Sequence, residues 1–270
     1  MTLTKSSIFD LAFEILIKDD VDQKVNLTHQ VKKAWFEDKL TLEPGQAPPD
    51  RPGRPKKPEL LLPKNMPRRR NAKARAARIA MLHAIAHIEL NAIDLAWDLI
   101  ARFGTNMPKS FIDDWVKVAN DEARHFTLLN KRLEEFQSCY GDLPAHDGLW
   151  QSAENTAHDF LARLAIVPLV LEARGLDVTP TLIKKFEAAN DQQSVSALQI
   201  IYKEEIEHVR AGQRWFTFIC KQQRLKPEKT YQKYVKKYFA GGLIPPFNVD
   251  ARYQAGLTES YYMPLVNSEK

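Results

Sequence analysis

The sequence predicts an all-α protein. Three observations carry this: long helical tracts with few breakers, near absence of strand-like alternation, and a Glu-x-x-His pair that recurs on two of the tracts.

Residues 7–40 read as one or two amphipathic helices, with IFDLAFEILI the most apolar part. Pro44, Pro48, Pro49, Pro52, Pro55, Pro58, Pro63 and Pro67 then crowd into the next stretch, which forbids helix and favours extended, polyproline-like backbone. The apolar run ELLLP at 59–63 marks this stretch as an arm that packs against something. From Asn71, AKARAARIAMLHAIAHIELNAIDLAWDLIARF predicts a first long helix ending at Gly104 as the C′ residue. Pro108 opens a second, running through Trp115, Glu122, Leu129 and Phe136 to a stop at Gly141. After a connection holding Pro144 and Gly148, a third helix is expected over about 151–175, kinked at Pro168. Beyond Thr179-Pro180 a helical tract leads into a fourth long helix, about 193–223. Residues 228–239 look helical, AGGLIPPFN forces an irregular turn, and a short helical piece ends the chain. The expected organisation is a helical extension over 1–42, a Pro-rich basic arm over 43–70, a four-helix bundle over 71–224 and a C-terminal cap over 225–270.

Hydrophobic residues make up 44% of the 270 and charged residues 27%, the balance of an ordinary soluble protein with a sizeable core. No stretch approaches the length of uninterrupted apolar sequence that a membrane helix needs, and the N-terminus lacks the build of a signal peptide. Cys139 and Cys220 form no Cys-x-x-Cys unit and read as buried or incidental thiols. The expectation is a cytoplasmic protein with no membrane partner. The net charge of +5 is uneven: residues 51–78 hold eleven basic residues and one acid (Glu59), a local +10, so the remainder totals −5. Such an arm can attract nucleic acid or an anionic substrate, or lie over an acidic surface of its own protein. The absence of interleaved aromatics favours the last. No Gly-rich phosphate loop, His-Glu-x-x-His zinc helix or nucleophile elbow is present.

The informative constellation is Glu89, Glu122 and His125, repeated further along as Glu172, Glu205 and His208. The spacing from the first Glu to the second is identical in the two copies, and in both the His follows the second Glu at i+3. Residues i and i+3 project from nearly one helix face, so each Glu-His pair points one way. Each lies in an apolar stripe: Phe111, Trp115, Val118, Leu129 and Leu133 around the first pair, Leu198, Ile201, Gly212 and Phe216 around the second. A single Glu-x-x-His is common on solvated faces and in core ion pairs; the doubled set is hard to reach by accident. Four carboxylates aimed into one core would be costly unless paired. Two divalent cations would balance them, and the two imidazoles complete a nitrogen–oxygen set suited to iron or manganese. This inventory matches ferritin-like di-metal bundles, in which two helices each give a Glu and two give Glu-x-x-His.

His83 and His87, one turn apart and off the face of Glu89, read as structural or supporting. Glu204 and Glu207 face elsewhere, and Asp94, Asp121 and Asp191 are candidates to hydrogen-bond the outer nitrogens of the metal-binding histidines.

HAIAHIELNAIDLAWD (83–98), DEARHF (121–126), RPGRP (51–55) and PPFNVDAR (245–252) together resemble a bacterial family of ferritin-like proteins of unknown function. The resemblance runs from about Arg51 to the C-terminus. It implies a fold and a metal site but no settled reaction, and it implies that arm and tail are ordered parts of the protein. The di-metal spacing is also similar to that of di-iron tRNA hydroxylases, in the motifs alone.

The leading expectation is an oxidoreductase holding two Fe ions, or Mn, or a mixed pair, that activates O2 to oxidise or hydroxylate an unidentified, anionic substrate such as modified RNA. Glu122 and Glu205 are the expected bridging ligands. Ferroxidase or storage activity is one alternative, although the extensions flanking the bundle exceed what a storage subunit needs. A non-enzymatic scaffold for a partner or nucleic acid is another. Leu129 occupies the position of the radical tyrosine in ribonucleotide-reductase-like proteins, while Tyr202, one turn before Glu205, leaves other tyrosine redox chemistry open. Homo-oligomerisation is left open.

Overall fold

Side-chain caps start the first two helices. Ser7 accepts the Phe9 N–H to open α1 (Ile8–Ile17), and Asp20 accepts the Gln23 N–H to open α2 (Val21–Phe36). The computed structural model describes residues 5–66, 74–240 and 242–266, and among these it is helical, with isolated bridges as its sole β pairing. The chain divides into two compact units, Met1–Trp150 and Gln151–Lys270; the border falls within the 71–224 segment.

In the first unit, α3 (Arg75–Phe103) is buried on nearly every side from Met81 to Ala101, packing on α1 and on α4 (Lys109–Glu135), while α2 also packs on α4. A helix apolar all round belongs in a core. By length and composition α3 could cross a bilayer, but 72% of its most apolar stretch is buried within the protein. Its expected start at Asn71 and the Arg68–Arg70 cluster of the arm lie outside the described residues. Gly104 differs from the left-handed C′ role. It sits at φ −76°, and what it supplies is space, since a Cβ there would lie 2.8 Å from Ile112 Cδ1 and 2.9 Å from Phe9 Cε1.

The Pro-rich arm is docked on the first unit. The Gly53 N–H donates to Leu16 O (2.8 Å), Arg102 Nη2 to Pro49 O (3.0 Å) and Trp150 Nε1 to Asp50 O (3.1 Å). Residues 59–61 exchange two backbone bonds with Ala145. These contacts satisfy polar groups that an extended backbone cannot pair within itself. The anchor is ionic. Asp94 on α3, fully buried, receives Lys24 Nζ at 2.5 Å and forms an ion pair with Arg54 Nη1 at 2.9 Å, while Lys24 also donates to Gly53 O and Arg54 Nη2 to Asn91 Oδ1. Arg51 pairs with Asp147. The arm cations Arg51 and Arg54 are thus engaged by acids of their own unit.

In the second unit, α5 (Gly148–Asn155) carries the chain across the border and α6 (Phe160–Ile166) follows an Asp159 cap. The third predicted helix is not one kinked rod ending at Gly175. Pro168 lies in a π-helical segment, Val167–Glu172, in which the Ala173 N–H bonds back to Pro168 O, and the loosened carbonyl of Leu169 accepts from the Tyr231 hydroxyl (3.1 Å). Helix α7 (Ala173–Glu187) then runs on through Pro180. A proline displaces the carbonyl at i−4. Here that carbonyl, Leu176 O, accepts from Asn248 Nδ2 of the C-terminal tail (3.1 Å), which lets the helix continue. Helix α8 (Gln192–Gln222) packs on α7, and α9 (Pro227–Tyr238), α10 (Val249–Gln254) and α11 (Glu259–Tyr262) complete the unit.

Gly212 lets α8 approach the π segment. A Cβ there would stand 2.4 Å from Pro168 Cβ, against a ring that cannot rotate away. Gly212→Ala is expected to cost about 1–3 kcal/mol through overpacking, read as a lower urea midpoint. An unchanged midpoint would show that the two segments separate freely.

Candidate metal centre

Helix periodicity sets the site in each unit. On α4, Trp115, Val118, Glu122, His125, Leu129 and Leu133 recur at three- and four-residue steps, and all are buried. The same face of the pattern that drives α4 into the core therefore carries Glu122 and His125 with it, each 0% exposed. Helix α3 delivers Glu89, 3% exposed, to the same place. His125 Nδ1 lies 3.2 Å from Glu89 Oε2 and 3.3 Å from Glu122 Oε2, and the three residues each offer a donor atom within 4.8 Å of the others. Burial, with the neighbouring Glu122 charge behind it, holds the Glu89 carboxyl well above the usual carboxylate range, against the opposing hydrogen bond with His125. Two buried carboxylates and an imidazole at these distances can hold a divalent cation, and oxygen with nitrogen donors suits iron or manganese.

The second unit repeats the arrangement more loosely. On α8, Glu205 and His208 are buried in the stripe with Leu198, Ile201 and Phe216, and His208 Nδ1 lies 3.7 Å from Glu205 Oε1. Glu172 ends the π segment and is half-buried. Among the described residues, Glu172, Glu205 and His208 do not converge into a set as tight as the first. The π geometry is the local reason Glu172 leaves ordinary helical register, and such insertions recur at functional sites.

The remaining candidates make the following contacts. His83 Nε2 accepts the Gly141 N–H (2.9 Å), and His87 bonds the Tyr140 hydroxyl (2.8 Å) and His146 O (3.0 Å), so both tie the 140–146 loop to α3. Burial pushes the His87 imidazole down to about 4, which keeps it neutral near pH 7. Asp94 is held by Lys24 and Arg54, Asp121 pairs with Arg124 (3.0 Å), and Asp191 caps α8 through the Ser194 N–H (3.1 Å). Glu207 is exposed and paired with Arg210, and the Tyr202 hydroxyl accepts from Asn248 Nδ2 (2.8 Å).

Sequence reasoning missed Lys24, Asn91, Asp177 and Arg252. Lys24 left a readable signal. It shares a stripe with Thr28, Val31 and Trp35 on α2, so a cation stood on an apolar face and required a buried acid. Nothing in the chain marked Asp94, far along the sequence on α3, as that acid.

Residues 17–263 match the family described as "Protein of unknown function (DUF455)". A relative from Haemophilus influenzae, described as an uncharacterized protein, is 43% identical over 211 residues, covering 76% of this chain and 73% of its own length. No solved structure matches.

Proposed function

The chain belongs to the DUF455 family, whose description specifies no reaction, and we infer from its donor set that it is a ferritin-like di-metal carboxylate oxidoreductase. The observation behind this reading is the buried meeting of Glu89, Glu122 and His125. Ionised carboxylates in such a place are costly by themselves, and cations turn that cost into attraction. On this reading the second triplet, Glu172, Glu205 and His208, completes the set for two Fe ions, with Mn or a mixed pair as the alternatives. Glu122 and Glu205 would be among its carboxylate ligands. The repeated spacing supports the pairing of the two triplets, because it gives the inventory of two lone glutamates and two Glu-x-x-His pairs. When bound and reduced, such a pair supplies the electrons for O2 chemistry that oxidises or hydroxylates a substrate.

The chain's own contribution is to orient the donors and exclude water. Trp115, Val118 and Leu129, on the stripe that holds Glu122 and His125, are all buried and keep the site dry. A reducing, cytoplasmic setting fits both the redox role and the free thiols of Cys139 and Cys220.

The test is O2 uptake by protein loaded anaerobically with Fe(II). Uptake in proportion to protein, lost in Glu89→Ala, is the expected result. Continued oxidation of Fe(II) added well beyond the bound amount, with ferric mineral accumulating, would favour ferroxidase activity instead. Uptake no faster than that of free Fe(II) in buffer would contradict both.

A further inference from the structure

Positive charge in the second unit is concentrated in one place. Residues 221–237 hold seven basic residues and one acid (Glu228), a local +6, while the rest of 151–270 totals −3. Five of the seven belong to α9, as its Lys226 cap and as Lys229, Lys233, Lys236 and Lys237. At about 100° per residue these five fall within an arc of about 100°, and Glu228 lies well off it. The other side of α9, with Tyr231 at 0% and Val235 at 1% exposure, is buried in the unit, which leaves all five lysines exposed. Lys221 and Arg224, exposed at the end of α8, lead into the row.

Such a row is unfavourable by itself. Lysines at i,i+3 and i,i+4 repel one another, and Lys226 and Lys229 stand at the positive end of the helix dipole. Exposed cations elsewhere pair with an acid one turn away, Arg210 with Glu207 and Lys109 with Asp113. Among the described residues, Lys221, Arg224, Lys226, Lys229, Lys233 and Lys236 form no ion pair. An external polyanion would supply the missing counter-charge. The row runs about 16 Å along α9, which suits a strand of phosphates better than a single headgroup. With its apolar side buried, α9 has none to insert into a bilayer. Two rings flank the row. Tyr234 and Tyr238 stack on each other (6.1 Å, 19°), Tyr234 donates to Asp159 Oδ2 (2.9 Å), and the Tyr238 hydroxyl meets His158 Nε2 (3.0 Å). Lys237 Nζ lies 4.7 Å from the centre of the Tyr238 ring, so cation and ring form one surface. Aromatic rings among cations favour unpaired bases over other polyanions.

We propose that the lysine row of α9 binds single-stranded nucleic acid, with phosphates along 226–237 and an unpaired base against Tyr238. These cations are not those of the arm, where Arg51 and Arg54 are engaged by Asp147 and Asp94. The proposal does not rest on the metal reading.

The test is fluorescence anisotropy of a labelled oligouridylate titrated with the full chain at low salt. Saturable binding that weakens steeply as salt rises is expected. The triple variant Lys229→Gln, Lys233→Gln, Lys236→Gln should weaken it by about tenfold or more and lower the salt slope by about 2, at about 0.7 for each lost phosphate contact. Removing the same charge from the exposed Lys184, Lys185 and Lys203, again by Gln, should leave binding nearly unchanged. Tyr238→Leu should weaken binding several-fold without altering the salt slope. The substituted lysines are all exposed, so both triple variants are expected to fold, with circular dichroism as the check. No saturable binding, equal losses in the two triple variants, indifference to Tyr238→Leu, or tighter binding to phosphatidylserine vesicles than to oligouridylate would each overturn the proposal.

Discussion

Asp94→Ala is expected to lower the free energy of unfolding by about 3–5 kcal/mol, because it leaves buried cations without their counter-charge. Asp94 meets Lys24 at 2.5 Å and Arg54 at 2.9 Å, and the Lys24 and Asp94 side chains are 3% and 0% exposed. Burial already pushes the Lys24 ammonium below its ordinary range, with the Asp94 charge working against that shift. Removing Asp94 takes away that compensation and detaches the arm at Arg54. Lys24→Met should cost much less, since Arg54 stays on Asp94. Urea unfolding followed by circular dichroism measures both, and trypsin should cut the Asp94→Ala arm at Lys56, the basic residue of 51–57 that no proline follows, faster than the wild-type arm. Equal midpoints for the two variants would contradict the ionic anchor.

Asp177→Ala is the matching expectation in the second unit, also about 3–5 kcal/mol. Asp177 is bidentate to the buried Arg252 and accepts the Asn248 N–H (2.9 Å), while Asn248 in turn serves Leu176 O, the carbonyl displaced by Pro180. One carboxylate thus holds both the tail and the continuity of α7. Loss of stability should come with faster proteolysis of the tail between 239 and 252. A variant with wild-type stability and an equally protected tail would show that the ring contacts of Arg252 suffice.

The fold class was legible because long amphipathic tracts repeat the helical period many times over. The stripes on α4 and α8 carried Glu122, His125, Glu205 and His208 into the core as their spacing required. The repeated spacing singled out Glu89, which meets Glu122 and His125. What was not legible depended on partners distant in the chain. Pro180 reads as a helix stop until Asn248, in the C-terminal tail, is seen to satisfy Leu176 O, and Pro168 reads as a kink until Tyr231 is seen on Leu169 O. The favoured reading of the basic arm, that it lies over acids of its own protein, fits Arg51 and Arg54, but the sequence did not name Asp147 and Asp94 as those acids. His83 and His87 could not be told from metal-supporting residues before the 140–146 loop was placed against them.

We propose that Glu89, Glu122, His125, Glu172, Glu205 and His208 together hold metal. Elemental analysis of purified protein, after anaerobic loading with Fe(II) and removal of free metal, tests it most directly. The expected result is about two Fe or Mn ions per chain, lost in Glu122→Ala and again in Glu205→Ala while both variants keep their helical circular dichroism. Wild-type protein that stays metal-free after loading, or variants that retain the wild-type metal content, would contradict it.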